Sequence, residues 1–260
     1  MIDFVGAGSG AADLITLRGQ RLIGEADVII YAGSLVNPAL VEAARPDCQI
    51  HNSAYMTLEE VIQVMVEAEA KGWKTVRLHT GDPSLYGAIR EQIDRLESLG
   101  IQWRVTPGVS SFCGAAAALG AEYTLPGVSQ SVVITRMEGR TPVPEREKIA
   151  AWAAHGATMV IFLSTGLLEG LQRELIRGGC RPDTPAAIVY KATWPEEKVF
   201  RCQVSELAAT ARENQITKTA LIMVGGFLAG SGERSKLYDP GFTTEFRQAK
   251  EPAERGGGKG

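Results

Sequence analysis

The stretch TVRLHTGDPSLYG, residues 75–87, carries the strongest signal for the fold. A run typical of a β-strand ends in Gly81-Asp82-Pro83, and a helical pattern follows at once. Gly81 can adopt backbone angles that are closed to other residues, and Pro83 fixes its own φ and disfavours helical angles at Asp82. Ser84 is placed to cap the helix after the turn. Because ligands of open α/β sheets lie beyond the carboxyl ends of the strands, we predict a binding-site corner here, with a plain turn as the alternative.

The amino-terminal segment IDFVGAGSGAAD, residues 2–13, is a short apolar strand that runs into a glycine loop. It resembles a dinucleotide fingerprint, but the next strand ends in Tyr31-Ala32-Gly33 and lacks the acidic residue that would hold a ribose hydroxyl. The loop residues Gly10-Ala11-Ala12 also lack the Gly-Lys-Ser/Thr of a phosphate-binding loop. The glycines are therefore predicted to let the backbone pass close to another ligand or to a packed helix.

Composition places the chain among ordinary globular proteins of one or two domains, with 260 residues, 45% hydrophobic and 22% charged. The net charge of −3 argues against a generally basic nucleic-acid binder. No apolar run approaches the roughly 18 residues of a membrane helix, so we expect no membrane partner and a cytoplasmic location. No metal site is predicted, because the cysteines and histidines have no ligand spacing: Cys48, Cys113, Cys180, Cys202, His51, His79 and His155.

Alternating strand and helix patterns predict a mainly parallel sheet with helices on its faces. Thr16 is placed to open the first helix, and Thr57 to Glu60 form a capping-box pattern before the third. The strands are predicted near residues 4–5, 28–31, 49–51, 76–79, 102–105, 131–135, 159–163, 186–190, 198–202 and 220–224. The helices are predicted near residues 17–24, 40–44, 58–70, 85–99, 109–119, 145–154, 167–177 and 204–214.

The turn-rich segment 123–129 is the candidate link between two domains. It divides the chain into an amino-terminal α/β domain, residues 1–122, and a carboxyl-terminal α/β domain, residues 129–243. Residues 251–260 end in GGGKG and carry nothing to bury, so a disordered tail is predicted there.

Three motifs, in their order and spacing along this chain, resemble those of the tetrapyrrole methylases that use S-adenosylmethionine. They are Val5-Gly6-Ala7-Gly8, the Gly81-Asp82-Pro83 corner, and TPGVSS at residues 106–111. Longer segments resemble the members of this family that methylate carbon 11 of precorrin-4: residues 31–37, 79–87, 128–131, 135–142 and 237–242. The resemblance covers the chain to about residue 247. The first loop departs from the family's usual Gly-Pro-Gly-Asp, because this chain has Ser9-Gly10-Ala11-Ala12 there.

The resemblance implies two unlike α/β domains that meet at a cleft, commonly in a homodimer, with S-adenosylmethionine folded between them and S-adenosylhomocysteine left as the product. It places cofactor-binding residues at strand ends and helix starts, where backbone groups are free to bind a ligand. For Leu163 and Ala220, core packing is the alternative. The residues carried over are Gly81, Asp82, Ser84, Ser111, Phe112, Leu163, Tyr190, Lys191, Ala192, Ala220 and Leu221.

The implied reaction methylates carbon 11 of precorrin-4, or of its cobalt form, and gives the precorrin-5 stage of cobalamin biosynthesis. A sulfonium methyl is already activated, so no nucleophile dyad is expected, and close approach in a water-free site suffices. Asp82 is the candidate catalytic residue, as a proton acceptor or a partner of ring N–H groups, with a structural turn aspartate as the alternative. The carboxylates of the substrate call for arginines, and Arg18, Arg136 and Arg140 are the candidates, with exposed surface arginines as the alternative.

Other functions stay open at this point. A methylase acting on another tetrapyrrole carbon, or a diphthine synthase acting on a protein, would share the cleft. The segments at residues 31–37 and 138–142 argue against both. A nicotinamide-dependent oxidoreductase would need the missing acidic residue. A non-catalytic tetrapyrrole carrier would lose the Gly-Asp-Pro corner, which is intact here.

Overall fold

The structure, a computed structural model, describes residues 1–230 and 232–249, and its first half is built on a five-stranded parallel sheet. The strand order is β3-β2-β4-β1-β5, and every neighbouring pair is parallel. The strands are β1 (Ile2–Gly6), β2 (Val28–Tyr31), β3 (Gln49–Asn52), β4 (Thr75–His79) and β5 (Trp103–Thr106). The predicted disordered tail, residues 251–260, lies outside the described residues.

Four helices connect the strands of this first sheet. They are α1 (Leu17–Glu25), α2 (Pro38–Glu42), α3 (Leu58–Ala70) and α4 (Ile89–Ser98). Thr16 accepts a hydrogen bond from the Gly19 N–H, and Thr57 and Glu60 complete a capping box, so both predicted helix starts are confirmed. One apolar core contains Phe4 of β1 and Met65 of α3, and a second contains Val5 of β1 and Leu78 of β4. Phe4 and Val5 are successive strand residues, so the two cores lie on opposite faces of the sheet.

The second half is built on a mixed sheet. Its strands are β6 (Val132–Arg136), β7 (Thr158–Phe162), β8 (Pro185–Tyr190), β9 (Lys198–Gln203) and β10 (Ala220–Val224). The order is β6-β7-β10-β8-β9, and only β6 and β7 run parallel. The prediction of mainly parallel pairing is therefore wrong for this half. Residues 191–197 join β8 to β9 without a helix, and a connection this short returns the chain antiparallel.

The remaining helices pack on the second sheet. They are α5 (Ser111–Leu119), α6 (Ile149–Ala153), α7 (Leu168–Arg177) and α8 (Leu207–Glu213). Ala115 and Leu119 of α5 share an apolar core with Val160 and Leu221 of the second sheet. The helix that follows the first sheet in sequence thus belongs to the second sheet by packing, while the domain boundaries at residues 122 and 129 stay a prediction.

The helix after the Gly-Asp-Pro corner begins later than predicted. The sequence pattern places its start at Leu85 with Ser84 as the cap, whereas α4 begins at Ile89, after Ala88. Ser84 instead donates its N–H and its hydroxyl to Asp82. Because Tyr86 and Ala88 have φ values of 57° and 49°, the intervening residues leave the right-handed helical region. In this segment the ring of Tyr86 packs on Phe162 of the second sheet, with centroids 5.4 Å apart.

The helix predicted near residues 145–154 is also interrupted. A 3₁₀ turn, Glu145–Glu147, precedes α6, and Lys148 between them is extended, with φ −63° and ψ 152°. A second 3₁₀ turn, Val204–Glu206, runs directly into α8, since Glu206 and Leu207 both have right-handed helical angles. The apolar pattern therefore located both regions but not the break before α6.

Candidate functional site

The three sequence motifs meet at one point, at the carboxyl ends of β1, β4 and β5. Gly8 and Gly81 exchange backbone hydrogen bonds, with N···O distances of 3.3 and 2.9 Å. A Cβ on Gly108 would lie 2.2 Å from the Gly81 carbonyl oxygen and 2.7 Å from the Gly6 Cα. The glycines were predicted to let the backbone pass close to a ligand or to a packed helix, whereas at this corner the close partner is the backbone of the other two motifs.

Asp82 holds this corner together. One carboxylate oxygen accepts the Gly108 N–H at 2.9 Å, and the other accepts the Ser84 N–H at 2.8 Å and the Ser84 hydroxyl. Burial acts to raise the pKa of Asp82, but the hydrogen bonds from Ser84 and Gly108 outweigh it and the pKa is lowered. The carboxylate is therefore ionised at neutral pH and ties the β4 corner to the turn that starts α5.

A cavity of about 370 Å³ opens between the two sheets beside this corner. Six of the predicted cofactor residues line it: Ser111, Leu163, Lys191, Ala192, Ala220 and Leu221. A second cavity of about 310 Å³ continues from it past Thr80 and Phe162, and Gly81 and Asp82 line that part. We call the two together the cleft.

Three of the predicted cofactor residues line neither cavity. Ser84 donates its hydrogen bonds to Asp82. The ring of Phe112 packs against that of Tyr123, with centroids 6.2 Å apart. Tyr190 packs against the core of the second sheet.

Strained backbone is concentrated around the cleft. Leu163, Lys191 and Thr219 line the first cavity with φ values of 51°, 47° and 58°, and Tyr86 lines the second with φ 57°. Non-glycine residues in this conformation cost on the order of 1–3 kcal/mol and cluster at functional sites. Leu163 is also 68% exposed, which leaves a large apolar side chain in the opening. These features make the cleft the candidate functional site.

The first cavity suits an adenosine-like ligand that carries a charged amino-acid tail. Phe162, Val189 and Leu221 offer an apolar wall for a flat ring. The hydroxyls of Thr80 and Ser111 offer hydrogen-bonding partners at its edge, and Lys191, whose ammonium group lies 3.4 Å from the Glu196 carboxylate, adds a charged group. The residues present therefore fit S-adenosylmethionine, which when bound supplies a methyl group on a positively charged sulfur.

The predicted substrate arginines are dispersed. Arg18 is exposed on α1, Arg140 is exposed in the loop after β6, and neither lines the cleft. Arg136 donates to the carbonyl oxygens of Thr141 at 3.1 Å and Pro142 at 3.0 Å, so it holds that loop. Their role in substrate binding stays a prediction.

Sequence reasoning missed several residues that line the cleft. Trp194, Lys218 and Thr219 lie in loops of the second half, and no pattern marked them. Arg77 and His79 line the second cavity from within β4. Both belong to the 75–87 motif, but they lie within its strand, where side chains are expected to pack in the core rather than to line a site.

The fold and the cleft together define a class: an α/β enzyme that binds small molecules between a parallel and a mixed sheet. Within the described residues, histidine, cysteine and carboxylate side chains form no metal-binding group, and no helix is long and apolar enough to span a membrane. Residues 1–208 match the family model of the Tetrapyrrole (Corrin/Porphyrin) Methylases. The chain belongs to this family and is a methyltransferase, and the predicted family and fold class are confirmed.

Two curated members of this family are similar to the chain over nearly its whole length. A cobalt-precorrin-4 C(11)-methyltransferase of Methanocaldococcus jannaschii is 52% identical over 94% of this chain and 95% of its own length. A precorrin-4 C(11)-methyltransferase of a Sinorhizobium species is 46% identical over 95% of this chain and 98% of its own length.

Solved structures agree with the sequence relatives. A cobalt-precorrin-4 methyltransferase, CbiF, superposes with a TM-score of 0.86 at 44% identity, covering 87% of this chain and 95% of that one. A uroporphyrin-III C-methyltransferase from Thermus thermophilus, solved with S-adenosyl homocysteine, gives a TM-score of 0.73 at 26% identity, covering 90% of this chain and 95% of that one.

Proposed function

We propose that this protein transfers a methyl group from S-adenosylmethionine to carbon 11 of precorrin-4, or of cobalt-precorrin-4, in cobalamin biosynthesis. The observation that carries the proposal is the 52% identity to the archaeal cobalt-precorrin-4 enzyme over nearly the whole of both chains. The cleft agrees with it, because apolar side chains for a flat ring system stand beside hydroxyl and charged groups for its polar substituents.

The chain's own residues contribute mainly positioning. Asp82 and the glycine corner fix the floor of the cleft, and the strained residues Leu163 and Lys191 hold its wall. Transfer of an activated methyl group needs donor and acceptor held at close approach, with water excluded. Apolar side chains such as Phe162 and Leu163 supply that exclusion. In this mechanism Asp82 acts first as the residue that shapes the corner, and a proton-accepting role is a further part of the proposal.

The cellular setting is part of the same proposal. The four cysteines are free thiols, as is typical of a reducing cytoplasm. The net charge of −3 favours a small-molecule partner over nucleic acid. Leu237, Tyr238 and Phe246 lie within one ten-residue segment and are 59%, 70% and 92% exposed, and we propose that they pack against a second copy of the chain. We therefore propose a homodimer, which sedimentation equilibrium at several protein concentrations tests.

The function is tested by incubating the protein with methyl-labelled S-adenosylmethionine and freshly generated precorrin-4, with and without cobalt. We expect one new methyl group, placed on carbon 11 by mass spectrometry and carbon NMR, and the preferred substrate form identifies the route. Parallel titrations compare S-adenosylmethionine with NAD, and we expect binding of the former alone. Cofactor binding without transfer to either substrate form would overturn the substrate assignment, and binding of neither cofactor would favour a carrier.

A further inference from the structure

Two basic side chains are buried at the floor of the second cavity. Arg77 is 6% exposed and His79 is 3% exposed, and both line that cavity. They are two residues apart on β4, so their side chains leave the same face of the strand. Between residues 1–230 and 232–249, no carboxylate lies within 4.0 Å of the Arg77 guanidinium.

Arg77 is only partly satisfied by the protein. Its Nε donates to Gln92 Oε1 at 3.0 Å, and its Nη1 donates to the Ile30 carbonyl oxygen at 3.1 Å. These two bonds leave three of the five guanidinium N–H groups without a protein acceptor among the described residues. Burial lowers the pKa of Arg77 to about 10, so the group is still a cation at neutral pH. A buried cation without a counter-charge is costly, and proteins normally pair such charges.

His79 adds a second unsatisfied group. Its Nε2 is buried without a hydrogen-bond partner, while its ring stacks on Phe4 with centroids 6.0 Å apart. Burial, together with the charge of Arg77, lowers the pKa of His79 to about 3. The imidazole is therefore neutral at neutral pH and can donate or accept one hydrogen bond at each nitrogen, according to its tautomer.

We propose that Arg77 and His79 form a carboxylate-binding subsite at the floor of the cleft. The subsite takes one carboxylate of a ligand that the cleft binds, either a peripheral acetate or propionate of the tetrapyrrole or the carboxylate of the cofactor's amino-acid tail. The guanidinium fork matches a carboxylate and supplies the buried ion pair that the protein itself lacks. This inference rests on the proposed function, because that function supplies both carboxylate ligands.

A purely structural role would also give Arg77 its two protein bonds, which connect β4 to β2 and α4. Loss of stability in a variant therefore does not separate the two roles. What separates them is ligand discrimination, since only a carboxylate-binding group makes the protein prefer a ligand with the carboxylate over one without it.

The test compares matched ligands on wild type, R77M, R77K and H79Q. S-adenosylhomocysteine against its decarboxylated analogue S-adenosyl-3-thiopropylamine, measured by titration calorimetry, reports the cofactor carboxylate. Uroporphyrin III against its octa-amide, measured by porphyrin fluorescence, reports the tetrapyrrole carboxylates. Arg104→Met is the matched control, because Arg104 already pairs with Asp3 elsewhere on the same sheet.

We expect wild type and R104M to prefer the carboxylate form of one ligand pair by about 10- to 100-fold. R77M should lose that preference, and H79Q should reduce it by a smaller factor. R77K should keep part of it, because lysine is a point charge without the fork. The ligand pair that responds identifies the source of the carboxylate. If R77M and R77K keep the wild-type preference for both pairs, the subsite does not exist.

Circular dichroism confirms that each variant is folded, and R77K with H79Q carries the test if R77M is not. The outcome is separable from that of the proposed function. A wild-type protein that methylates neither precorrin form, yet loses carboxylate discrimination in R77M, would disprove the function and support the subsite. Methylation of carbon 11 with unchanged discrimination in the variants would do the reverse.

Discussion

At the scale of single residues, the cleft depends on glycines, which have no side chain to keep the strand ends apart, and on the hydrogen-bonded carboxylate of Asp82. Gly6, Gly81 and Gly108 bring three strand ends into direct backbone contact, which any Cβ at Gly108 would block. Asp82 then bonds across this contact to Gly108 and Ser84. The corner is therefore rigid before any ligand binds, which lowers the cost of binding one.

Replacing Gly108 by alanine tests this packing. The new Cβ would fall 2.2 Å from the Gly81 carbonyl oxygen, so the corner must move. We expect the free energy of unfolding to fall by about 1–3 kcal/mol, and the dissociation constant of S-adenosylmethionine to rise at least tenfold. Urea unfolding and titration calorimetry measure the two effects.

Gly24→Ala is the matched control, because a Cβ on Gly24 in α1 meets nothing within 4 Å. This change should stabilise the protein by about 0.5–1 kcal/mol, as alanine is the better helix former, and leave cofactor binding unchanged. Equal effects of the two substitutions would contradict the packing argument.

Asp82→Asn tests the carboxylate at the corner. An amide keeps one acceptor oxygen and loses the other, so we expect a loss of about 1–2 kcal/mol at neutral pH. The lowered pKa of Asp82 means that the ionised form stabilises the fold above the ordinary aspartate pKa, and that this contribution is lost as the pH falls through the lowered value.

The stability difference between wild type and D82N should therefore be constant near neutral pH and shrink in acid. Urea unfolding across a pH series checks this. A difference that grows on acidification would show that the carboxylate does not carry the effect.

At the scale of elements, local signals decide where helices start only if tertiary contacts do not intervene. The capping box of α3 and the Thr16 cap of α1 lie outside the cleft, and both helices begin where the sequence predicts. The start of α4 is displaced by Asp82, which captures Ser84, and by the left-handed residues Tyr86 and Ala88. The ring of Tyr86 packs on Phe162 of the second sheet, with centroids 5.4 Å apart. A contact between the halves thus accompanies the displaced helix start.

Thr57→Ala tests the local signal. It removes the side chain that accepts the Glu60 N–H at the start of α3. We expect the free energy of unfolding to fall by about 1 kcal/mol, without a change in cofactor affinity. Glu59→Ala is the control, because Glu59 is exposed in the same turn and takes no part in the box, so it should cost only a few tenths of a kcal/mol.

At the scale of the whole molecule, the cleft exists because the glycine loop of the first half reaches the β8–β9 loop of the second. The Thr193 hydroxyl lies 3.0 Å from the Ser9 hydroxyl and accepts the Ala11 N–H at 3.1 Å. A Cβ on Gly10 would lie 2.3 Å from the Trp194 ring, so this loop also needs its glycine. These contacts close one side of the first cavity.

Thr193→Val tests whether this contact matters to the site. Valine keeps the shape and removes the hydroxyl that serves both Ser9 and Ala11. We expect stability to fall by about 1–2 kcal/mol and S-adenosylmethionine to bind about 3- to 10-fold more weakly. Thr193→Ser restores the hydroxyl and should restore binding, and a valine variant that binds normally would remove the contact from the mechanism.

The strands were predictable because each is a short apolar or β-branched run bounded by turn residues. All ten lie within two or three residues of their predicted positions, from Ile2–Gly6 to Ala220–Val224. The direction of the strands in the second sheet was not predictable from these runs, since the residue patterns of β8 and β9 do not show whether the two strands pair parallel or antiparallel. The break before α4 was hidden as well, because it depends on contacts made by Asp82 and Tyr86.

The strands, most of the helices and the turns of the corner could be predicted from the sequence, because turn chemistry and hydrophobic period are local properties of the chain. The family could be inferred from the resemblance of the three motifs that form the corner. The surroundings of that corner depend on how distant segments pack. The tertiary structure placed Leu163, Lys191 and Thr219 in strained conformations around one cavity. It also buried Arg77 and His79 beneath the other. Burial and unsatisfied charge arise only when distant segments pack together, and for this reason no reading of β4 alone shows that its arginine lacks a counter-charge.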